Sequence, residues 1–383
     1  MASPIHILYL DHAPIWGGAE AVLVTLLQNL DRQQFQPFAA TAPDSPLAQR
    51  LAIGDVPVLP VPFAALNQAG WRLPFNLMRS VTAVSRLIRL HAIALIHTNT
   101  VRAHIVGSLA GWLTRTPVIW TLHDNTFPPR LARWLSPIPR QVITVSGWLA
   151  ETYAPCGLAG KLTVIPNGLN LAAHSASGPS IRAELGIPPD APLVLNVGRL
   201  VEGKAPHLFI EAAAKAAEQH PEAWFVLVGG ADEGEPTPRA AAYTEQLAQV
   251  MAQNRLNGRL LSVGARQDVG RFYQAADIVV YNAVQPEGLP TVLLEAMAYA
   301  RPVIASAIGG ALEIVQNGRS GFLTPANNAA ALVDAINALL SSPADQQAMG
   351  QAGLKRLTES FTVPQQVQKT TEIYLAILQG VHS

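Results

Sequence analysis

The 383-residue chain has one cysteine, Cys156, which excludes a disulfide framework and a cysteine-rich zinc site. It has no net charge, 26 Lys and Arg standing against 26 Asp and Glu, so no overall basicity points to nucleic acid. No apolar run reaches the roughly 18 residues of a membrane-spanning helix. The nearest, 105–113, is cut off by Arg115. The N-terminus has no basic segment and meets Asp11 after one short apolar run, so no secretory signal is expected. With the lone cysteine, this favours the cytoplasm. There is no internal repeat, no low-complexity tract and no GxGxxG. No acid sits at a strand end ~20 residues beyond the first glycine pair, which speaks against a dinucleotide site.

What is present is a 49% hydrophobic chain long enough for two domains at about 150 residues each. Short apolar runs alternate with longer amphipathic stretches. Strands are expected at 5–10, 92–97, 117–123, 141–146, 162–166, 192–197, 224–228, 259–263, 277–281 and 302–305. Helices are expected at 19–30, 75–90, 102–113, 206–219, 239–254, 291–299 and 329–340. This is the pattern of βαβ units and parallel sheets. Runs such as 224–228 lack period-two alternation and should be covered on both faces. The small, polar stretch 171–179 is the best boundary. The fold class is therefore α/β, with two doubly wound Rossmann-like domains. Because ligands in such sheets bind beyond the carboxyl ends of the strands, two facing sheets would form one cleft.

Charge is uneven. Residues 1–170 carry 12 Lys and Arg against 7 Asp and Glu, and residues 171–383 carry 14 against 19. Between 72 and 140 there are nine arginines and one acid, Asp124. Two halves of opposite charge suggest two domains with different ligands. The basic segment is either a solvated face or a surface for an anionic acceptor or an anionic membrane.

The strand-end loops carry the candidate chemistry. Gly17-Gly18 precede a helix, as either a tight turn or a place where backbone N–H groups approach a phosphate. Arg199 and Lys204, five apart after a buried strand, are either solvated charges or a pair that neutralises a diphosphate. Glu287 and Glu295 are eight apart, one in a loop and one a turn inside a helix. Glu295 lies among apolar residues and needs a partner, a role ribose hydroxyls would fill. The segment Gly288, Leu289, Pro290 and Thr291 at the helix start is placed to hold a phosphate through its backbone N–H groups. Gly309-Gly310 form a plain turn or a further wall of the cleft. His123 ends a strand, where a lone histidine is either structural or functional.

Taken together these motifs resemble the family-four retaining glycosyltransferases of the GT-B fold, also called glycosyltransferase group 1. The resemblance runs from about residue 5 to 340. It rests on Gly17-Gly18, the strand ending in His123, the V-I-P-N-G run at 164–168, Arg199 with Lys204, and the E-x7-E pair Glu287 and Glu295. Asn170 and Ala205 depart from the family pattern, where Asp and Gly are usual. The resemblance implies an acceptor domain over 1–170, a nucleotide-sugar domain over 171–362, and a last helix near 363–380 packed back on the first domain. It implies a nucleotide-diphosphate sugar as co-substrate, UDP- or GDP-linked, with no cofactor and no metal, and a glycan, lipid-linked or small-molecule hydroxyl as acceptor. Catalytic roles would fall to Arg199, Lys204, Glu287 and His123. Donor contacts would come from Gly17, Gly18, Gly288–Thr291 and Glu295, with the base against the loop of Val263 and Arg266. A sugar-nucleotide epimerase and a non-catalytic sugar-nucleotide-binding subunit are the alternatives.

Overall fold

A computed structural model describes all residues except 1–2, 14–15, 53, 64–71, 175–177, 231–237, 255 and 382–383. The chain divides into two units, residues 1–168 with 363–383, and residues 169–362. Among the described residues, no helix is long and apolar enough to cross a membrane.

The first unit alternates strand and helix: β1 (Ile5–Leu10), α1 (Gly18–Gln28), β2 (Phe35–Thr41), α2 (Pro46–Ala52), β3 (Val58–Pro60), α3 (Leu73–Leu90), β4 (Leu95–Thr98), α4 (Val101–Thr114), β5 (Val118–Leu122), α5 (Pro129–Leu135), β6 (Gln141–Thr144), α6 (Gly147–Tyr153) and β7 (Leu162–Val164). Its seven strands run in the order β3-β2-β1-β4-β5-β6-β7, and every pairing is parallel. The chain leaves β1 on both sides, so the order reverses between β1 and β4. That reversal opens a crevice at the carboxyl ends of those two strands.

The second unit repeats the plan with α7 (Ile181–Glu184), β8 (Leu193–Val197), α8 (Pro206–Gln219), β9 (Trp224–Val228), α9 (Pro238–Gln253), β10 (Leu260–Ser262), α10 (Val269–Ala275), β11 (Ile278–Tyr281), α11 (Thr291–Ala298), β12 (Val303–Ser306), α12 (Ala311–Ile314), β13 (Gly321–Thr324), α13 (Ala329–Leu340) and α14 (Pro343–Ser360). Its six parallel strands run β10-β9-β8-β11-β12-β13, and the reversal lies between β8 and β11. Val194, Phe225, Val280 and Ile304 of the sheet pack on Phe209 and Ala213 of α8 and Ile336 of α13, all at 0% exposure. Burial of each large side chain of this kind contributes about 1.5–3 kcal/mol. The unbroken apolar runs are thus buried between helical layers, which is why they show no alternation.

The last helix, α15 (Val363–Val381), belongs to the first unit. Its Tyr374 is fully buried. The Tyr374 hydroxyl lies 3.0 Å from that of Tyr9 and 2.6 Å from His97 Nδ1.

Several elements differ from expectation. Strand β2 contains Pro37, which reads against a strand interior, yet it pairs with β1 along six residues, Pro37 opposite Ile7. The chain passes from the first unit to the second at 168/169, just ahead of the 171–179 stretch, and returns at 362/363. Within that stretch Leu171–His174 form one 3₁₀ turn, and 175–177 lie outside the described residues.

Candidate active site

In the second unit the loop after β8 carries Arg199 and Lys204, and the loop after β11 carries Glu287, so the order reversal alone makes them neighbours. Side chains then stitch the loops together. Asn196 at the end of β8 donates to Asn282 Oδ1 at 2.8 Å. Asn282 donates to the Ala205 carbonyl at 2.7 Å, and the Val284 N–H donates to the Gly203 carbonyl at 2.9 Å. The outcome is a direct ion pair between Lys204 Nζ and Glu287 Oε1. The ammonium also lies 5.2 Å from the centre of the Tyr281 ring, a cation–π distance. The buried Tyr281 hydroxyl bonds to Glu287, and burial followed by the Glu287 charge drives its ionisation far upward. It therefore remains a donor at any physiological pH. Lys204 and Glu287 keep 21% and 33% of their side chains exposed. An ammonium has three N–H donors, so Lys204 can hold Glu287 and still meet an arriving anion. Arg199 is exposed on the same loop.

Gly309 and Gly310 support this loop. The Gly310 N–H donates to the Glu287 carbonyl at 2.9 Å. A Cβ on Gly310 would lie 2.0 Å from the Gly288 carbonyl oxygen, and one on Gly309, at φ +55, would lie 2.5 Å from the Glu287 carbonyl oxygen. The pair is a clamp on the Glu287 backbone rather than a plain turn.

Glu295 sits one turn inside α11 as expected, but it has a partner within the chain. The buried Tyr273 hydroxyl donates to its Oε2 at 2.8 Å. Its carboxylate thus has a fixed orientation and a second oxygen to offer. Pro290 caps α11 and, being proline, has no N–H; Thr291 and Val292 supply the first-turn donors instead. Gly288 and Leu289 are buried beneath them. Val263 follows β10 and donates from its backbone to Leu227. Arg266 is turned away into a surface network with Asp268 at 2.8 Å and Glu184 at 2.9 Å, so its guanidinium is already matched by carboxylates.

In the first unit the reversal between β1 and β4 brings Asp11 beside Asn99. Asn99 Nδ2 donates to Asp11 Oδ2 at 2.7 Å, and the Ala13 N–H donates to Asp11 Oδ1 at 2.7 Å. Asn99 Oδ1 must then be the atom facing His123 Nε2, 2.7 Å away. An amide oxygen only accepts, so Nε2 carries the proton. Burial lowers the His123 pKa to about 4, and the ring is neutral with its lone pair on Nδ1. That atom and Asn167 Oδ1 are both buried without a protein partner, and both residues line one small cavity with His97, Thr121 and Gln366. His123 is thus a neutral side chain in a fixed tautomer, its Nε2 committed to Asn99.

Gly17 is the N-cap of α1. The Glu20 carboxylate, 6% exposed, folds back on the N–H groups of Gly17 and of Glu20 itself, the glutamate half of a capping box, since the N-cap glycine has no side chain to complete it. The Gly17 N–H is therefore bonded within the chain, whereas the space above Gly18 is open. Burial, then the nearby Asp11 charge, raises the Glu20 pKa to about 7. Burial raises Asp11 to about 6. The folded protein keeps the Glu20 proton up to about pH 7, while the unfolded chain releases it near the ordinary carboxyl value of 4.5. Stability from the protonated form is present at low pH and is lost as pH rises through about 7. Glu20→Gln should accordingly flatten the decline of Tm between about pH 5 and about pH 8. Equal slopes for variant and wild type would contradict the assignment.

Sequence reasoning missed Tyr281, Asn282, Asp11 and Asn99. Each is at or just past the carboxyl end of a strand beside an order reversal, a position strand assignment alone could have flagged.

The chain is similar to known proteins along most of its length. The model of Glycosyl transferases group 1 matches residues 178–356, and that of Glycosyltransferase Family 4 matches residues 16–173. A D-inositol 3-phosphate glycosyltransferase of Kineococcus radiotolerans is 31% identical over 324 residues, 74% of this chain and 72% of that protein. An Escherichia coli UDP-Gal:alpha-D-GlcNAc-diphosphoundecaprenol alpha-1,3-galactosyltransferase is 26% identical, covering 97% of each chain. Among solved structures, Anabaena HepE in complex with UDP superposes with a TM-score of 0.84 at 26% identity, over 97% of this chain and 100% of that one.

Proposed function

The chain belongs to the group 1, family-four glycosyltransferases, and from that premise we propose that it moves a sugar from a nucleotide-diphosphate donor to a hydroxyl acceptor with retention of configuration. The observation that carries the reading is the Lys204–Glu287 pair at the β8/β11 reversal. A fixed cation at the carboxyl edge of a nucleotide-binding type of sheet is placed to take up charge on a departing β-phosphate. In the reaction the bond from the anomeric carbon to the β-phosphate oxygen breaks first, and its electron pair stays on the phosphate. The acceptor oxygen bonds to the anomeric carbon from the same face and passes its proton to that phosphate oxygen, so no separate strong base is needed. A neutral His123 with a committed Nε2 suits an orienting role in this scheme, not that of a base. Lys204 and Arg199 supply the positive charge, and no metal or cofactor is invoked. Glu287, held by Lys204 and Tyr281, orients sugar hydroxyls. Glu295, held by Tyr273, offers its second oxygen to the ribose. With Arg266 matched by acids, the base would rest on the backbone and Val263 of its loop.

The donor is assigned to the second unit and the acceptor to the first. A UDP-linked donor is favoured by the Anabaena neighbour, whose structures hold UDP and UDP-glucose. A lipid-linked or growing-glycan acceptor, and hence polysaccharide or glycolipid assembly, is favoured by the Escherichia coli relative. A single cysteine fits a reducing compartment such as the cytoplasm. The test is nucleotide release from a panel of UDP-, GDP- and ADP-sugars with and without glycan acceptors, followed by NMR of the product's anomeric linkage. Release stimulated by acceptor, with the donor's configuration kept, is expected. Conversion of the sugar without acceptor would make the protein an epimerase, and binding without turnover would make it a binding subunit.

A further inference from the structure

The residues of the first unit include a surface that the transfer reaction does not use. There is no Asp or Glu between Asp55 and Asp124, a span that holds α3 and α4 entire. Seven of the nine large hydrophobic side chains that are exposed among the described residues fall at 73–134. On α3 the buried positions Val81, Val84 and Ile88 pack into the core with Val106 and Ala110 of α4. The opposite face carries Phe75, Met78, Arg79, Thr82, Arg86 and Arg89, all exposed and recurring at three- and four-residue steps. Phe75 is 71% exposed and Met78 61%. From Phe75 to Arg89 this stripe runs about 20 Å. The last turn of α4, which packs beside α3, adds Trp112 at 71% exposure and is followed by Arg115. On α5 the exposed positions include Arg130, Arg133 and Trp134, the last at 67%.

We propose that this face docks on an anionic lipid surface. Charge complementarity selects an anionic partner. Aromatic and aliphatic side chains interleaved with the arginines select a partner that is apolar just below its charged layer, which a bilayer is and a soluble anion is not. Long arginine stems reach headgroup phosphates while Phe75, Met78 and Trp112 enter the interface. Helix α3 begins at the carboxyl edge of its sheet, the edge that holds Asn99 and His123. A membrane under α3 therefore presents an amphiphilic, lipid-linked acceptor to that edge. This last clause rests on the transferase reading, and the docking does not.

Co-sedimentation of the full chain with phosphatidylcholine vesicles, with and without phosphatidylglycerol, tests the proposal at low and high salt. Binding only to the phosphatidylglycerol vesicles, reduced by salt, is expected. Arg79→Gln with Arg86→Gln should weaken partitioning roughly 30-fold, from about 1 kcal/mol per surface arginine. Phe75→Ser with Met78→Ser should weaken it ~10-fold or more. All four side chains are exposed, so circular dichroism and Tm should match wild type. Absence of wild-type binding at low salt, or variants that bind as wild type does, would overturn the proposal. So would a lipid-free dimer that Phe75→Ser dissociates, which would put a second copy on this face. Acceptor-stimulated nucleotide release with a soluble acceptor is measured on the same samples. Its absence would count against the transferase reading and leave the docking result standing.

Discussion

Lys204→Ala should lower turnover ~100-fold or more, with the loss mainly in kcat and little change in donor KM. Removing one preorganised donor aimed at developing negative charge typically costs about 3–4 kcal/mol of transition-state stabilisation. In the proposed mechanism the charge on the β-phosphate grows only as the glycosidic bond breaks, so Lys204 would bind the transition state more tightly than the ground state, and such interactions appear in kcat. The structure adds a second reason. Glu287 and the face of Tyr281 hold the ammonium before any ligand arrives, so little reorganisation is needed during the reaction. Removing Lys204 also leaves Glu287 without its cation, and sugar orientation should suffer with it. Wild-type turnover in Lys204→Ala would remove the role assigned to that side chain.

Gly310→Ala should cost about as much while altering no group that meets the donor. The added Cβ would start 2.0 Å from the Gly288 carbonyl oxygen and 2.8 Å from its carbon. These are backbone atoms that no side-chain rotation can clear, so the segment Glu287–Leu289 must shift. The Gly310 N–H bond to the Glu287 carbonyl, 2.9 Å, would be strained by the same movement. A displacement near 1 Å in a positioning loop can reduce rate ~100-fold. We expect kcat/KM to fall on that scale, with a Tm drop from the local clash, in an enzyme that still binds UDP through the rest of the sheet edge. Assay of kcat/KM together with UDP titration checks it. Unchanged kcat/KM would show that the Glu287 loop needs no support from residues 309–310.

The fold could be read from sequence because its strands are short apolar runs and its helices are amphipathic, so periodicity changes at nearly every element. Helix α8 falls at Pro206–Gln219 as expected, and α11 begins at Thr291. What escaped were elements whose sequence argues against their conformation, such as β2 with Pro37, and short ones such as β3. Motif spacing singled out Lys204 and Glu287, and the order reversal explains why residues 83 apart in sequence form an ion pair. Spacing could not reveal that Arg266 spends its charge on Asp268 and Glu184, or that Glu20 bonds the Gly17 N–H. Those depend on side-chain directions that only packing decides. His123 illustrates the same limit. Its place at a strand end was legible, but its tautomer is set by Asn99 and Asp11, 24 and 112 residues away in the chain.

Lys204, held by Glu287, is proposed to receive the charge of the departing diphosphate, and a crystal structure of the protein with UDP is the decisive experiment. A β-phosphate oxygen is expected within hydrogen-bond distance of Lys204 Nζ, with the Glu287 contact retained. A diphosphate seated elsewhere on the protein, with Lys204 still engaged by Glu287 alone, would contradict it.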